Sequence, residues 1–354
     1  MPTASAFVAA LPTVSVGNED RPELSSQLLE LTVREDTLGL YRCEAEFGNW
    51  GAVSGRIGFR YFDRALLDFG KPFKVKFGDA VLFDGRVMAM RAAFPEGAPP
   101  RLLVLADDRL QDLRMTRRTR TFADVSDGDV MRTIASDHSL TPDIDVSGPT
   151  HKVLAQVNQS DLAFLRERAH AVDAEIWVEG ATLHAKKRAA RDAGTVELAW
   201  QNQLREFEVT ADLAAQRTAV AVSGWDVSGK QAIRSEATAS AIASELDGDT
   251  SGVAILQAIA ARKENLAHPV PVTSSEGQAA ADAFFRMSAR RFVTGRGVAE
   301  ASTRLRVGSR VNLKELGPLF SGAYTVTAVR HRFDTAHGIR TEFDVERPGI
   351  GRAS

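Results

Sequence analysis

The sequence predicts an α+β, mainly β protein in which two related β-barrel-like bodies are separated by a small α/β module. Three observations lead there. Short alternating strands fill the chain on both sides of its middle. Residues 156–187 read as one helix running directly into one hairpin. A strand–glycine–strand pattern around Gly78 has an echo around Gly308. The expected division is a flexible N-terminal arm over 1–23, a first body over 24–121, the module over 122–190, and a second body over 191–350 that carries a mobile insertion at about 227–272.

The central stretch is the clearest. Ser160 is a good N-cap, and Asp161 puts negative charge in the first turn, where free N–H groups and the helix dipole favour it. Leu162, Leu165, Ala169 and Val172 follow at helical spacing. Ile176 and Val178 then alternate with Glu175 and Glu179, Gly180-Ala181 turns the chain, and residues 182–186 return. Ahead of this, Ser126-Asp127-Gly128-Asp129 reads as a capping box opening a helix to about Ser139.

In the first body, Leu29, Leu31 and Val33 alternate with polar neighbours, as do Tyr41, Cys43, Ala45 and Phe47. Phe73, Val75 and Phe77 repeat the period with Lys74 and Lys76 between them. Asp84-Gly85 is expected to turn a hairpin between residues 81–83 and 86–88. In the second body, strands are expected at 207–225, 305–313, 324–329 and 339–346. Thr273-x-x-Glu276 opens a helix with Ala280, Phe284 and Met287 on one face. The echo aligns Gly78 and Gly85 of residues 74–87 with Gly308 and Gly322 of residues 304–324, with one inserted loop.

Composition narrows the function. With 354 residues, 44% hydrophobic and 25% charged, the chain has the make-up of a folded protein of two or three domains. A formal charge of −2 gives no global attraction to nucleic acid or an anionic membrane, and no basic, aromatic-interleaved strand offers a stacking platform for bases. Cys43 stands alone, which excludes an internal disulfide and a cysteine zinc site. No stretch reaches the roughly 18 apolar residues of a membrane span. Residues 1–16 lack the basic start of a secretion signal.

No catalytic constellation stands out. His331, His337 and Asp334 surround an expected turn but lack further ligands at suggestive spacing, and His138 and His184 read as structural. Gly295 to Gly297 and the Gly-rich residues 48–58 lack the strand–glycine–helix setting of a phosphate loop. Asp107-Asp108 and Asp143/Asp145 fall in loops. No catalytic residue, metal ligand or cofactor is therefore nominated. The densest basic run, Arg114, Arg117, Arg118 and Arg120, is either a solvated loop or a contact with an acidic partner surface.

The order of elements resembles that of the phage late control D family, the baseplate hub proteins of contractile tails and related injection systems, similar also to the hub part of type VI secretion spike proteins. The residues that carry it run from Gln159 through Asp161, Phe164 and Ala169 into Glu175 to Val178 and Thr182 to His184. Asp212 to Ala214, Gly224 to Asp226, Gly322 to Thr327, His331 to Asp334 and Gly338 to Thr341 support it. The resemblance spans about residues 28–347 and is weakest over the insertion.

It implies a non-enzymatic structural protein, a homotrimer with two tube domains per chain. Six similar domains would then join a six-fold inner tube to a three-fold spike in a baseplate assembled in the bacterial cytoplasm. The implied partners are the inner tube protein, other baseplate subunits, a tape-measure protein or cargo, and a spike; because the chain stops at Ser354, the spike is expected to be a separate polypeptide. A tail-associated peptidoglycan-acting enzyme or a small binding module is the alternative. Arg117, Arg118 and Arg120 are the expected polar contact with a neighbouring baseplate subunit, and Lys74 and Lys76 are expected on the lumen or the outer surface.

Overall fold

In the computed structural model, residues 11–268 and 270–351 are described, and they form a mainly β protein with helices. Five strands make the first body: β1 (Leu28–Asp36), β2 (Arg42–Gly48), β3 (Pro72–Phe77), β4 (Ala80–Ala93) and β5 (Arg101–Asp107). Five make the second: β6 (Leu204–Ala211), β7 (Val293–Glu300), β8 (Arg310–Lys314), β9 (Gly322–Asp334) and β10 (Gly338–Arg347). Their sheet order is β1-β2-β5-β4-β3 in one and β6-β7-β10-β9-β8 in the other. The two orders are the same.

The likeness extends to irregularities. β1 slips against β2 between Leu28 and Glu30, and β6 slips against β7 between Leu204 and Glu206. β4 bulges against β5 between Val87 and Ala89, and β9 bulges against β10 between Val326 and Ala328. Ahead of β3, Gly70 donates to the carbonyl of Val87; ahead of β8, Gly308 donates to that of Val326. Both glycines have φ near +80°, at 76° and 86°, which a side chain would strain. Bulges are retained features rather than accidents, so they serve as rulers between the two copies. Gly308 therefore matches Gly70, and the sequence echo that aligned it with Gly78 is displaced by one strand.

The bodies are not separate barrels. β9 is long enough to pair β8 through Gly322–Thr325 and then β1 through Ala328–Asp334, so a single sheet of thirteen strands runs through both bodies. Among the described residues no sheet closes into a barrel, in contrast to the barrel-like bodies expected. Phe333, at the far end of this seam, is 3% exposed and packs in the core of the first body with Leu31, Val33 and Phe47.

Three further expectations meet a different structure. Asp84-Gly85 lies inside unbroken β4, and the turn falls at Gly78-Asp79 instead. A Cβ on Gly85 would stand 2.4 Å from the Asp107 carbonyl oxygen, so this glycine serves close strand approach. Thr13–Val16, expected within a flexible arm, is a strand on β3 with Val14 and Val16 buried; residues 1–10 of that arm lie outside the described residues. The stretch expected as a mobile insertion holds two strands, Gln231–Thr238 and Lys263–Leu266, which pair on either side of Ala219–Asp226, a strand where one was expected, to form a three-stranded sheet.

The central module carries helix α1 (Asp127–Asp137), opened by the Ser126/Asp129 capping box, and helix α2 (Asp161–Ala171), capped by Ser160. Leu162, Leu165, Ala169 and Val172 are buried as their spacing predicts. The hairpin Ala174–Glu179 and Thr182–Lys187 follows, and the module also takes in Arg117–Ser126, paired with Thr150–Ser160. Helix α3 (Ser274–Arg290), capped by Thr273, packs on the insertion sheet. Its deepest residues are Ala281, Phe285 and Ala289, one step round from the expected Ala280, Phe284 and Met287, because sheet strands flank it on that side.

Candidate functional site

The charged residues nominated from sequence are engaged within the chain. Lys74 pairs with Asp84 at 3.1 Å and Lys76 with Asp20 at 2.9 Å, both at the surface of the first body. Arg117 is exposed and donates to the Asn158 carbonyl. Arg118 and Arg120 turn inward. Both grip Asp161, which is only 1% exposed, at 3.1 and 2.9 Å, while His138 and Gln156 reach the same carboxylate at 2.8 and 2.9 Å. Burial alone would raise the Asp161 pKa, but these four partners together hold it below the usual carboxylate value. The basic run is thus half of an internal charge node, with Asp137 as a second partner of Arg120.

Sequence reasoning missed the remaining nodes. Asp127, fully buried at the start of α1, binds Arg168 at 2.6 Å and His151 at 3.1 Å, and His151 reaches Glu276 of α3 at 2.9 Å. Burial disfavours the His151 cation, yet Asp127 and Glu276 outweigh it and its pKa lies above the ordinary value. Arg290 at the end of α3 holds both oxygens of Asp173, one at 2.8 Å, and both of Glu245. Arg191 joins Glu175 at 2.8 Å to the Tyr41 hydroxyl at 2.7 Å, with its guanidinium 4.1 Å from the Trp177 ring centre. Arg188 reaches Glu346 of β10 at 2.7 Å, and Arg306 pairs with buried Glu35 of β1.

These groups clamp the module, the insertion and both bodies together. None is an exposed nucleophile beside a base, so the arrangement fixes geometry. Their one sequence signal was charge inside buried stripes, such as Asp161 immediately before Leu162.

The histidines considered as ligands separate. His337 caps the turn onto Asp334, whereas His331 is buried in the seam, opposite Val33, with Nδ1 3.1 Å from the Thr341 hydroxyl. Among the described residues no three metal-binding side chains converge. Burial, and secondarily the charge of Arg306, pushes the His331 pKa down from its ordinary 6.5 to about 3. The folded value is the lower one, so the unfolded chain takes the proton first as pH falls. Stability from this residue should be level above about pH 7 and fall below it by up to ~1.4 kcal/mol per pH unit. Urea unfolding at pH 7.5 and 5.5 should show the parent losing about 1.4 kcal/mol more than His331→Gln over that interval; equal losses would exclude the assignment.

The fold is shared with solved phage tail and type VI secretion proteins. At 11% identity and a TM-score of 0.70, the 43 kDa tail protein of prophage MuSo2 from Shewanella oneidensis matches 96% of this chain and 98% of its own. The tail protein from Neisseria meningitidis MC58 matches at 13% identity and TM-score 0.67, covering 96% and 97%. The E. coli c3393 protein, a type VI secretion component with structural similarity to the T4 tail proteins gp27 and gp5, matches at 10% identity and TM-score 0.59, covering 96% and 79%. No curated protein matches the sequence. The chain belongs to the Alg8 N-terminal domain family, whose profile matches residues 63–335.

Proposed function

We propose that this chain is a structural baseplate hub of a contractile injection system or phage tail, working as a trimeric adaptor between a six-fold inner tube and a three-fold spike. The observation that carries the reading is the repeated strand order, β1-β2-β5-β4-β3 and β6-β7-β10-β9-β8, within one chain. Three copies then supply six like bodies, which is what a three-fold partner needs to sit beneath a six-fold one. In this reading residues 24–121 and 191–350 act as tube domains whose sheets complete a ring only in the assembly. Its function is assembly without turnover, and its partners are the tube protein, a spike and other baseplate subunits. The described tail and type VI secretion proteins of the same fold support it.

Mass photometry should find a species of three chain masses, and addition of spike protein should increase its share. A chain that stays monomeric at micromolar concentration with spike protein present overturns the reading.

A further inference from the structure

We propose that a second copy of this chain lays its β6 against the open end of β4, in the register that β1 takes against β9 within one chain. This rests on the trimeric reading above and adds the seam itself. β9 and β4 are built alike: the first part of β9 pairs β8, and the first part of β4, Ala80 to Arg86, pairs β3. The remainder of β9 is covered by β1. The remainder of β4, Ala89 to Ala93, pairs β5 on one edge and has no strand on the other among the described residues. β6, the counterpart of β1, pairs β7 on one edge and, an isolated bridge from Trp200 to Leu204 apart, is likewise open. Two unpaired edges of matching origin are a template for strand addition.

The bulges set the register. Inside the chain Ala328 faces Asp36, Arg330 faces Arg34 and Phe333 faces Leu31. Carrying Ala328 to Ala89 and Leu28 to Leu204 places Ala89 opposite Asp212 of the next copy, Arg91 opposite Thr210 and Phe94 opposite Phe207. Arg91 then lies diagonal to Glu208, within reach of a cross-strand ion pair.

Burial points the same way. Phe333 is inserted into the neighbouring body, whereas its counterpart Phe94 touches only the rim formed by Phe59 and Phe62 and is 65% exposed. Leu31 and Val33 are fully buried beneath the internal seam, while their counterparts Phe207 and Val209 are only half-buried. The side chains left open are those whose counterparts the seam covers, so Phe94 is the anchor that enters the second body of the next copy.

Cys43 is the sole cysteine and is buried, so introduced thiols report cleanly. An Arg91→Cys chain mixed with a Thr210→Cys chain under mild oxidation should give a disulfide-linked dimer. An Ala89→Cys chain with the same partner, two residues out of register, should give at least fivefold less. Phe94→Asp should weaken self-association at least tenfold, while the separate chain, which loses only the rim contacts of Phe94 with Phe59 and Phe62, stays folded by circular dichroism. If the protein trimerises but the two thiol pairs link equally, or Phe94→Asp associates as tightly as the parent, the seam lies elsewhere and the hub reading stands without it. A chain that never self-associates removes both.

Discussion

Asp161→Ala should cost about 3–5 kcal/mol and unfold the central module, because it strips the carboxylate from a node that two arginines and a histidine share. The carboxylate is buried, with its oxygens taken by Arg118, Arg120, His138 and Gln156. Removing the carboxylate takes an acceptor from buried Gln156, from largely buried His138 and from the half-buried arginines, of which Arg120 alone retains a second carboxylate in Asp137. The loss is that of one buried acceptor shared by four donors, well above the truncation of a surface residue. Urea unfolding followed by circular dichroism should show it. Arg117→Ala, which removes only an exposed contact to a carbonyl, should stay within about 0.5 kcal/mol. A loss below about 1 kcal/mol in the Asp161 variant would mean that the node is hydrated and weak. The same geometry makes a combined change of Arg117, Arg118 and Arg120 unsuitable as a probe of an outer interface, since it would remove the Asp161 partners as well.

Arg290→Ala should cost a comparable amount, about 3–5 kcal/mol, and first detach the insertion. Its guanidinium, 3% exposed, lies between Asp173 of the module and Glu245 of the insertion and spans both carboxylates. Lysine cannot reproduce that fork, so Arg290→Lys should recover little of the loss. Hydrogen exchange should show lost protection in the strands of residues 219–238, with β1 to β5 retaining theirs. Uniform loss over the whole chain would show instead that the insertion and the bodies unfold as one unit.

Local rules read the central module well. Ser160 and the Ser126/Asp129 box start helices where the sequence places them, and Gly180-Ala181 turns the expected hairpin, because caps and tight turns depend on neighbours in the chain. Gly85 misled for the opposite reason. Its role is set by the Asp107 carbonyl on another strand, and a turn-like dipeptide carries no record of that approach. The repeat was visible but out of register, since Gly70 and Gly78 flank the same strand, both at positive φ, and the hydrogen bond of Gly70 to the bulge residue Val87 that marks it as the counterpart of Gly308 forms only on folding. The insertion looked structureless because residues 227–272 supply only Ala237, Ile242 and Val253 to the buried cluster, while Val220 and Val222 before them and Ala281, Phe285 and Ala289 of α3 after them complete it. The charge nodes were hidden by distance in sequence: Arg118 meets Asp161, and His151 meets Glu276, only after folding.

Between β1 and β2 the chain spends only residues 37–41, whereas the matching slot between β6 and β7 holds the whole insertion with α3. In a closed ring of three copies, the inner staves would repeat every sixty degrees while the bulky outgrowths recur only every hundred and twenty. A protein gripping the staves would meet hexagonal periodicity, and one gripping the outgrowths would meet a triangle. One gene product could thus offer two different symmetries to two different neighbours according to which radius each of them touches.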